Sequence, residues 1–213
     1  MDWRQAGKDR FRRSMVPVGR IIIRTGITAN HITSLGVILS AVSGYFLYHC
    51  RWHTGLLFLV LGACCDFLDG AVARATGSTG KAGAFIDSTL DRYAELFVYG
   101  GLLGCFVQRG MTAASLGVFL ALGGSLLVSY TRARAEGLGF SCAGGFAQRP
   151  ERIILLCLGL IFGDRVLVWI IWIIAITSHL TAVYRFSSVL QTARSQERET
   201  RGTGQRGIPD NRG

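Results

Sequence analysis

The chain has 213 residues, half of them hydrophobic, and a formal net charge of +10. Apolar runs recur along almost its whole length, which excludes an ordinary water-soluble domain and indicates an integral membrane protein. Strand-like alternation is missing, so a β-barrel is not expected. The basic residues form no face with interleaved aromatic residues, so we expect no nucleic-acid partner. The prediction is one all-α membrane domain over residues 1–193.

The N-terminal segment predicts an amphipathic helix at the membrane interface. Over residues 9–25, arginines alternate with apolar side chains, a pattern typical of a helix whose apolar face enters the headgroup region. The stretch TANHIT, residues 28–33, follows as a turn with Thr28 or Asn30 as a helix cap. No signal-peptide pattern precedes it, so the first span is expected to serve as its own uncleaved signal.

Six apolar segments then predict six transmembrane helices, because about 20 helical residues cross the hydrocarbon core. The fifth is the shortest and must begin with the polar QRPER segment already helical. Basic residues cluster before residue 25, at 74 and 81, at 132–152 and beyond 185. The positive-inside rule places these regions, and both termini, in the cytoplasm. The predicted spans are about 31–50, 54–75, 80–107, 111–136, 148–163 and 166–190.

The cysteines and the C-terminal tail are assigned no chemistry. The six cysteines show no metal-binding spacing and are interpreted as small, reduced and buried side chains. Residues 194–213 are polar and rich in glycine and arginine, with too few apolar residues to bury, so this tail is predicted to be disordered.

The stretch DFLDGAVARATGSTGKAGAFIDSTLD, residues 66–91, places four aspartates among the apolar spans. Each residue of a helix turns by about 100°, so two aspartates share one helix face in the second span and two share a face in the third. Small residues lie beside them and leave open space. The two faces are Asp66, Asp69, Gly70 and Ala73, followed by Gly83, Asp87 and Asp91.

Four carboxylates at membrane depth require a compensating cation, since each costs about 2.5 to 3.5 kcal/mol on insertion scales. Ion pairing with Arg74, Lys81 and Arg92 is one possibility. Simple ion pairs would not require small residues around each acid, which favours divalent metal instead. Oxygen ligands select Mg²⁺ or Mn²⁺ over zinc, and four anionic ligands suit two ions.

These residues resemble the signature of the CDP-alcohol phosphotransferases, D-x2-D-G-x2-A-R-x8-G-x3-D-x3-D. The interfacial helix, the TANHIT turn and the six spans are also similar to this family, which extends the resemblance to most of residues 9–190. Ala29 stands where many members have proline. The eight fixed positions are met by Asp66, Asp69, Gly70, Ala73, Arg74, Gly83, Asp87 and Asp91.

The resemblance implies that the CMP moiety of a donor binds between the second and third spans. Asp91 would also be the catalytic base that takes a proton from the attacking hydroxyl, and Arg74 would neutralise donor phosphate. Gly70, Ala73 and Gly83 would let the nucleotide approach the backbone. The implied metal ligands are Asp66, Asp69, Asp87 and Asp91.

Arginines at the cytoplasmic ends of the last three spans bear on the acceptor. Several guanidiniums at one depth indicate an acceptor with its own phosphate, although each arginine alone could be a positive-inside anchor. The arrangement resembles the inositol-phosphate branch of the family, in which CDP-diacylglycerol or CDP-archaeol reacts with inositol 1-phosphate. Glycerol 3-phosphate is the alternative acceptor. The acceptor-phosphate candidates are Ser129, Arg132, Arg134, Arg152 and Arg185.

A cation transporter, with aspartates along an ion path, is the alternative from a different class. Arg74 within the acidic cluster would repel a permeating cation, and the carboxylates occupy only one pair of adjoining helices. Both features favour the transferase. By analogy with similar proteins we expect a homodimer, located in the cell membrane with its active site facing the cytoplasm.

Overall fold

The computed structural model describes residues 28–76, 80–142, 144–145 and 148–205, without the side chains of residues 74–76 and 199–205. All regular elements within these ranges are α-helices, which confirms the predicted all-α class. The interfacial helix predicted at residues 9–25 lies outside the described residues. The helices are α1 (Ala29–Tyr48), α2 (Trp52–Thr76), α3 (Lys81–Gln108), α4 (Thr112–Gly137), α5 (Arg149–Phe162) and α6 (Asp164–Gln205).

Each helix overlaps one of the six predicted segments, and four of them, α1, α2, α4 and α6, are long and apolar enough to cross a membrane. Helix α3 is longer than α1, but it carries the charged residues of the signature in its first half. Helix α5 has only 14 residues. Length and composition therefore support a multi-pass membrane protein, and six complete crossings remain a proposal.

The starts of two helices are set by local hydrogen bonds. The backbone N–H of Thr28 donates to Nδ1 of His31 at 3.4 Å, so Thr28 caps α1 as predicted. The backbone N–H of Gln148 donates to Oε2 of Glu151 at 2.8 Å, and a proline lies in the first turn of α5. Both features favour a helix start at this point. The QRPER segment therefore begins α5, and Arg149 is the first residue of the helix.

The helices pack as a closed ring. The principal contacts join α1 to α2 and α3, α2 to α5, α3 to α4, and α6 to both α4 and α5. Helices α1 and α3 approach closely at Gly44 and Gly101, where a Cβ on either glycine would overlap backbone of the other helix. Buried apolar residues such as Leu102, Phe106 and Ile171 fill one end of the ring. The signature aspartates lie at the other end, whereas Arg109 and Asp164 form an ion pair at the apolar end.

The prediction that all six cysteines are reduced is wrong for two of them. Cys50 and Cys105 form a disulfide. Their Cα atoms lie 5.6 Å apart, within the usual disulfide range. The packing of α1 against α3 brings together the ends of two helices that are distant in sequence. Of the free cysteines, Cys65 and Cys142 are buried as predicted and Cys64 is exposed.

The tail prediction also requires correction. Helix α6 continues to Gln205, so residues 194–205 are helical where disorder was predicted, while residues 206–213 lie outside the described residues. A helix propagates more easily than it nucleates, and glutamine, glutamate and arginine are good helix formers. The apolar part of α6 supplies the nucleus from which these polar residues continue.

Candidate active site

The four signature aspartates meet at one end of the ring, two from α2 and two from α3. Asp87 lies close enough to Asp66, Asp69 and Asp91 for their charges to interact. Asp69 is buried, with 7% of its surface exposed, whereas Asp66 and Asp91 are half-buried and Asp87 is exposed. The expectation that the two acidic helix faces are neighbours is therefore confirmed.

Thr33 holds Asp69 in place. Its hydroxyl donates a hydrogen bond of 2.7 Å to Oδ2 of Asp69, and the threonine itself is buried. Thr33 lies in the first turns of α1, at the end of the TANHIT stretch. The sequence predicts only a turn and a cap for this stretch. Its last residue is in fact a partner of a signature aspartate.

Arg149 joins the two acidic faces. Its Nη2 lies 2.8 Å from Oδ2 of Asp66, and its Nη1 forms an ion pair with Oδ1 of Asp91. A third carboxylate, that of Glu95, lies 4.0 Å from its Nε. Arg92 is more distant, 3.5 Å from Asp91. The principal counter-ion of the cluster is therefore Arg149, which was absent from the predicted site although it was noted in QRPER.

Glu95, one helical turn beyond Asp91, is the centre of a buried polar network. Its Oε1 accepts a hydrogen bond of 2.7 Å from Arg152, and its Oε2 accepts one of 2.7 Å from Ser125. Both charged residues are more than nine-tenths buried. The network connects α3, α4 and α5 beside the aspartates. Arg152, predicted as an acceptor residue, is therefore oriented by Glu95.

Three of the predicted acceptor arginines lie together. Arg185 is buried and donates hydrogen bonds of 2.7 Å to the carbonyl oxygens of Gly144 and Val128. It is close enough to Arg132 and Arg152 for their charges to repel. Repulsion between fixed cations favours binding of an anion among them. Arg152 and Arg185 are buried, whereas Arg132 is exposed and pairs with Glu136 at 2.8 Å. Their role in acceptor binding stays a prediction.

The two remaining acceptor candidates differ in position. Ser129 is half-buried on α4 and donates to the carbonyl oxygen of Ser125 at 3.2 Å. Arg134 is exposed. Two residues on a helix turn by about 200°, so Arg134 points away from the face that carries Arg132. The structure therefore does not place Arg134 with the other three arginines.

The small residues of the signature leave space beside the aspartates. Gly70, Ala73 and Gly83 are half-buried. A Cβ added to Gly83 would meet no atom within 4 Å, so the site is open next to this glycine. The side chain of Arg74 lies outside the described residues, and its predicted role stays a prediction.

The donor atoms suit a hard divalent cation, since carboxylate oxygens are the ligands that magnesium and manganese prefer. As the side chains are arranged, no three acidic, histidine or cysteine groups among the described residues are placed to hold one ion. Arg149 already engages two of the four aspartates, Asp66 and Asp91. The four carboxylates fit a metal by their chemistry, and Arg149 occupies one oxygen of Asp66 and one of Asp91.

Comparison with known proteins places this geometry in context. The sequence profile of the family described as CDP-alcohol phosphatidyltransferase matches residues 26–183. The archaetidylinositol phosphate synthase of Pyrococcus horikoshii is 35% identical over 180 residues, which cover 84% of this chain and 92% of the relative.

Solved structures of a similar enzyme also match this chain. The crystal structure of the Mycobacterium tuberculosis phosphatidylinositol phosphate synthase with CDP-DAG bound is similar at a TM-score of 0.76 and 30% identity, covering 83% of this chain and 94% of that one. A second structure of that enzyme, in complex with manganese and citrate, has a TM-score of 0.75, also at 30% identity, and covers 83% of this chain and 88% of that one.

Proposed function

The chain belongs to the CDP-alcohol phosphatidyltransferase family, and from this membership we propose that it makes an inositol-phosphate lipid. The reaction transfers a phosphatidyl or archaetidyl group from a CDP-linked lipid to a hydroxyl of inositol 1-phosphate and releases CMP. The observation that carries the proposal is that Glu95 lies between Arg149, which pairs with Asp66 and Asp91, and Arg152, whose charge acts on Arg185. The names of the similar proteins support the same reaction.

The donor binds along the facing sides of α2 and α3. Open space beside Gly83 accommodates the CMP moiety, and Arg74 neutralises a donor phosphate. Two Mg²⁺ or Mn²⁺ ions held by the four signature aspartates would polarise the pyrophosphate and stabilise the leaving CMP. The manganese in the similar enzyme supports a divalent cofactor.

The acceptor reaches the donor from the side of α4, α5 and α6. Arg132, Arg152 and Arg185 bind its phosphate through charge-assisted hydrogen bonds. Asp91 then accepts the proton of the attacking hydroxyl, because it lies beside Arg149 of α5, at the boundary between the donor and acceptor sides. Attack on the lipid-bearing phosphorus forms the new ester bond, and the bond to CMP breaks.

The surroundings of this site are also part of the proposal. The chain crosses the membrane six times, and the positive-inside pattern puts the site at the cytoplasmic face. The protein acts as a homodimer. A cation transporter is disfavoured because Arg149 lies between Asp66 and Asp91, where a permeating cation would have to pass.

The function is tested with purified protein, labelled CDP-diacylglycerol and Mg²⁺. Inositol 1-phosphate, inositol, glycerol 3-phosphate and serine are supplied in separate reactions, and CMP release is measured. We expect release with inositol 1-phosphate. Release with glycerol 3-phosphate alone would establish the alternative acceptor, and release with serine or free inositol alone would contradict the requirement for an acceptor phosphate.

The role of Asp91 is tested by Asp91→Asn. This variant should lose turnover while it still binds the CDP-lipid, because the amide cannot accept the hydroxyl proton and the other aspartates remain. Retained turnover would remove Asp91 from the role of base.

A further inference from the structure

We propose that Arg149 and divalent metal ions compete for the carboxylates of Asp66 and Asp91, so that Arg149 lowers the metal affinity of the site. The inference rests on the proposed function, in which these aspartates are metal ligands. Arg149 bonds to one aspartate of each acidic helix, so the same oxygens serve two cations. Arg149 therefore takes part in metal binding, because it must release these carboxylates.

The competition follows from geometry and charge. The guanidinium lies 2.8 Å from Asp66 and is also in contact with Asp91. A divalent ion bound by both carboxylates would occupy the space between them, which the guanidinium fills. Two cations cannot share this position, since Coulomb repulsion at a few ångströms in a partly buried site is large. Metal binding therefore requires Arg149 to leave.

The surroundings of Arg149 allow this movement. A cavity of about 30 Å³ is lined by Asp66, Glu95 and Arg149 among others. The Nε of Arg149 is already 4.0 Å from Oε1 of Glu95. Because Arg149 is the first residue of α5, rotation of its side chain can move the guanidinium without unwinding the helix. Its side chain is already 20% exposed, so the displaced guanidinium can turn toward solvent.

Arg152, one turn further along α5, provides the contrast. It is 97% buried and pairs with Glu95 at 2.7 Å, outside the set of signature aspartates. No proposed metal ligand depends on it for a counter-ion. Arg149 is half-buried, and its two close partners are both proposed ligands. The two arginines of α5 therefore differ in role: Arg152 stays in place, and Arg149 is displaced.

The first test measures Mn²⁺ binding to the purified full-length protein by isothermal titration calorimetry. Arg149→Gln should bind Mn²⁺ about tenfold more tightly than wild type, because the competing charge is gone. Arg134→Gln is the matched control: it removes the same charge from an exposed position near the same end, and its Mn²⁺ affinity should stay within about threefold of wild type. Arg149→Lys, which keeps a cation, should also resemble wild type.

Unchanged or weaker Mn²⁺ binding by Arg149→Gln, while Asp66→Asn abolishes binding, would overturn the competition and leave the proposed metal site intact. Binding that neither Asp66→Asn nor Asp87→Asn weakens would contradict the metal site of the proposed function itself, and the competition with it. Tight binding by Arg149→Gln where wild type binds weakly would support the inference.

A second test needs no variant and therefore cannot fail through misfolding. Wild-type protein is treated with phenylglyoxal, and the modification of individual arginines is quantified by peptide mass spectrometry. Mn²⁺ should increase the modification of Arg149 about threefold or more, because displacement frees the guanidinium from two carboxylates. Arg165 is the internal reference, because it is exposed at the start of α6, away from the aspartates. An unchanged Arg149 rate in the presence of bound Mn²⁺ would overturn the inference.

Discussion

The hydroxyl of Thr33 on α1 donates a hydrogen bond of 2.7 Å to Oδ2 of Asp69 on α2, and both residues are buried. This bond orients an aspartate that is more buried than the other three of the signature. It also connects the start of the first described helix to the proposed metal site. The conformation of Asp69 therefore depends on a helix that carries none of the signature.

We predict that Thr33→Val lowers the rate of CMP release about tenfold or more, because a hydrogen bond to a charged group contributes about 1.5 to 3 kcal/mol. Valine has nearly the same shape but cannot donate. Thr33→Ser keeps the hydroxyl and should retain most of the activity. Equal rates for the valine and serine variants would show that the bond does not matter for turnover.

Glu95→Gln is predicted to destabilise the protein, because it leaves Arg152 buried without its counter-ion. Breaking a buried ion pair from one side typically costs about 3 to 5 kcal/mol. Thermal unfolding in detergent measures this effect as a lower Tm. The control is Glu136→Gln, whose partner Arg132 is exposed and whose pair is expected to contribute less than about 1 kcal/mol. Equal Tm losses for both variants would contradict the importance of burial.

Arg185→Lys is predicted to raise the KM for inositol 1-phosphate about tenfold or more, with a much smaller effect on the KM for the CDP-lipid. The guanidinium of Arg185 bonds to the carbonyl oxygens of Val128 and Gly144, and a lysine ammonium cannot reproduce that planar arrangement. Steady-state kinetics with each substrate varied in turn separates the two constants. An equal rise in both would place Arg185 outside the acceptor pocket.

Loss of the disulfide between Cys50 and Cys105 is predicted to lower stability by about 2 to 4 kcal/mol, with turnover retained at moderate temperature. The disulfide joins the ends of α1 and α3 that lie away from the aspartates. Tm is measured for Cys50→Ser under non-reducing conditions and for wild type with and without reductant. Cys64→Ser, which removes an exposed free thiol, is the control. A Tm insensitive to reductant in wild type would contradict the prediction.

Local features of this protein could be predicted from the sequence because they depend on helical periodicity. The spacing of Asp66 and Asp69 puts them on one face of a helix, and the spacing of Asp87 and Asp91 does the same on the next. The structure shows these faces together. The start of α5 at Arg149 followed in the same way from a segment that had to be helical to contribute to a span.

The end of α6 could not be predicted from composition. Residues 194–205 lack apolar side chains, a composition that predicts disorder. The structure continues the helix through them, because they follow an apolar helix without a break. The composition of a segment indicates how much apolar surface it can bury. It does not indicate whether the preceding helix continues into that segment.

The helices apart from the end of α6, the acidic faces and the chemistry that four closely spaced carboxylates favour follow from the sequence, since these depend on residues within a few turns of one another. The distant side chains that complete the site are brought there by the packing of the helices. Arg149 pairs with Asp66 and Asp91, and Cys50 pairs with Cys105, across helices far apart along the chain. Such pairs depend on how the ring of helices closes and on side-chain direction within it, and periodicity along one helix carries no information about either.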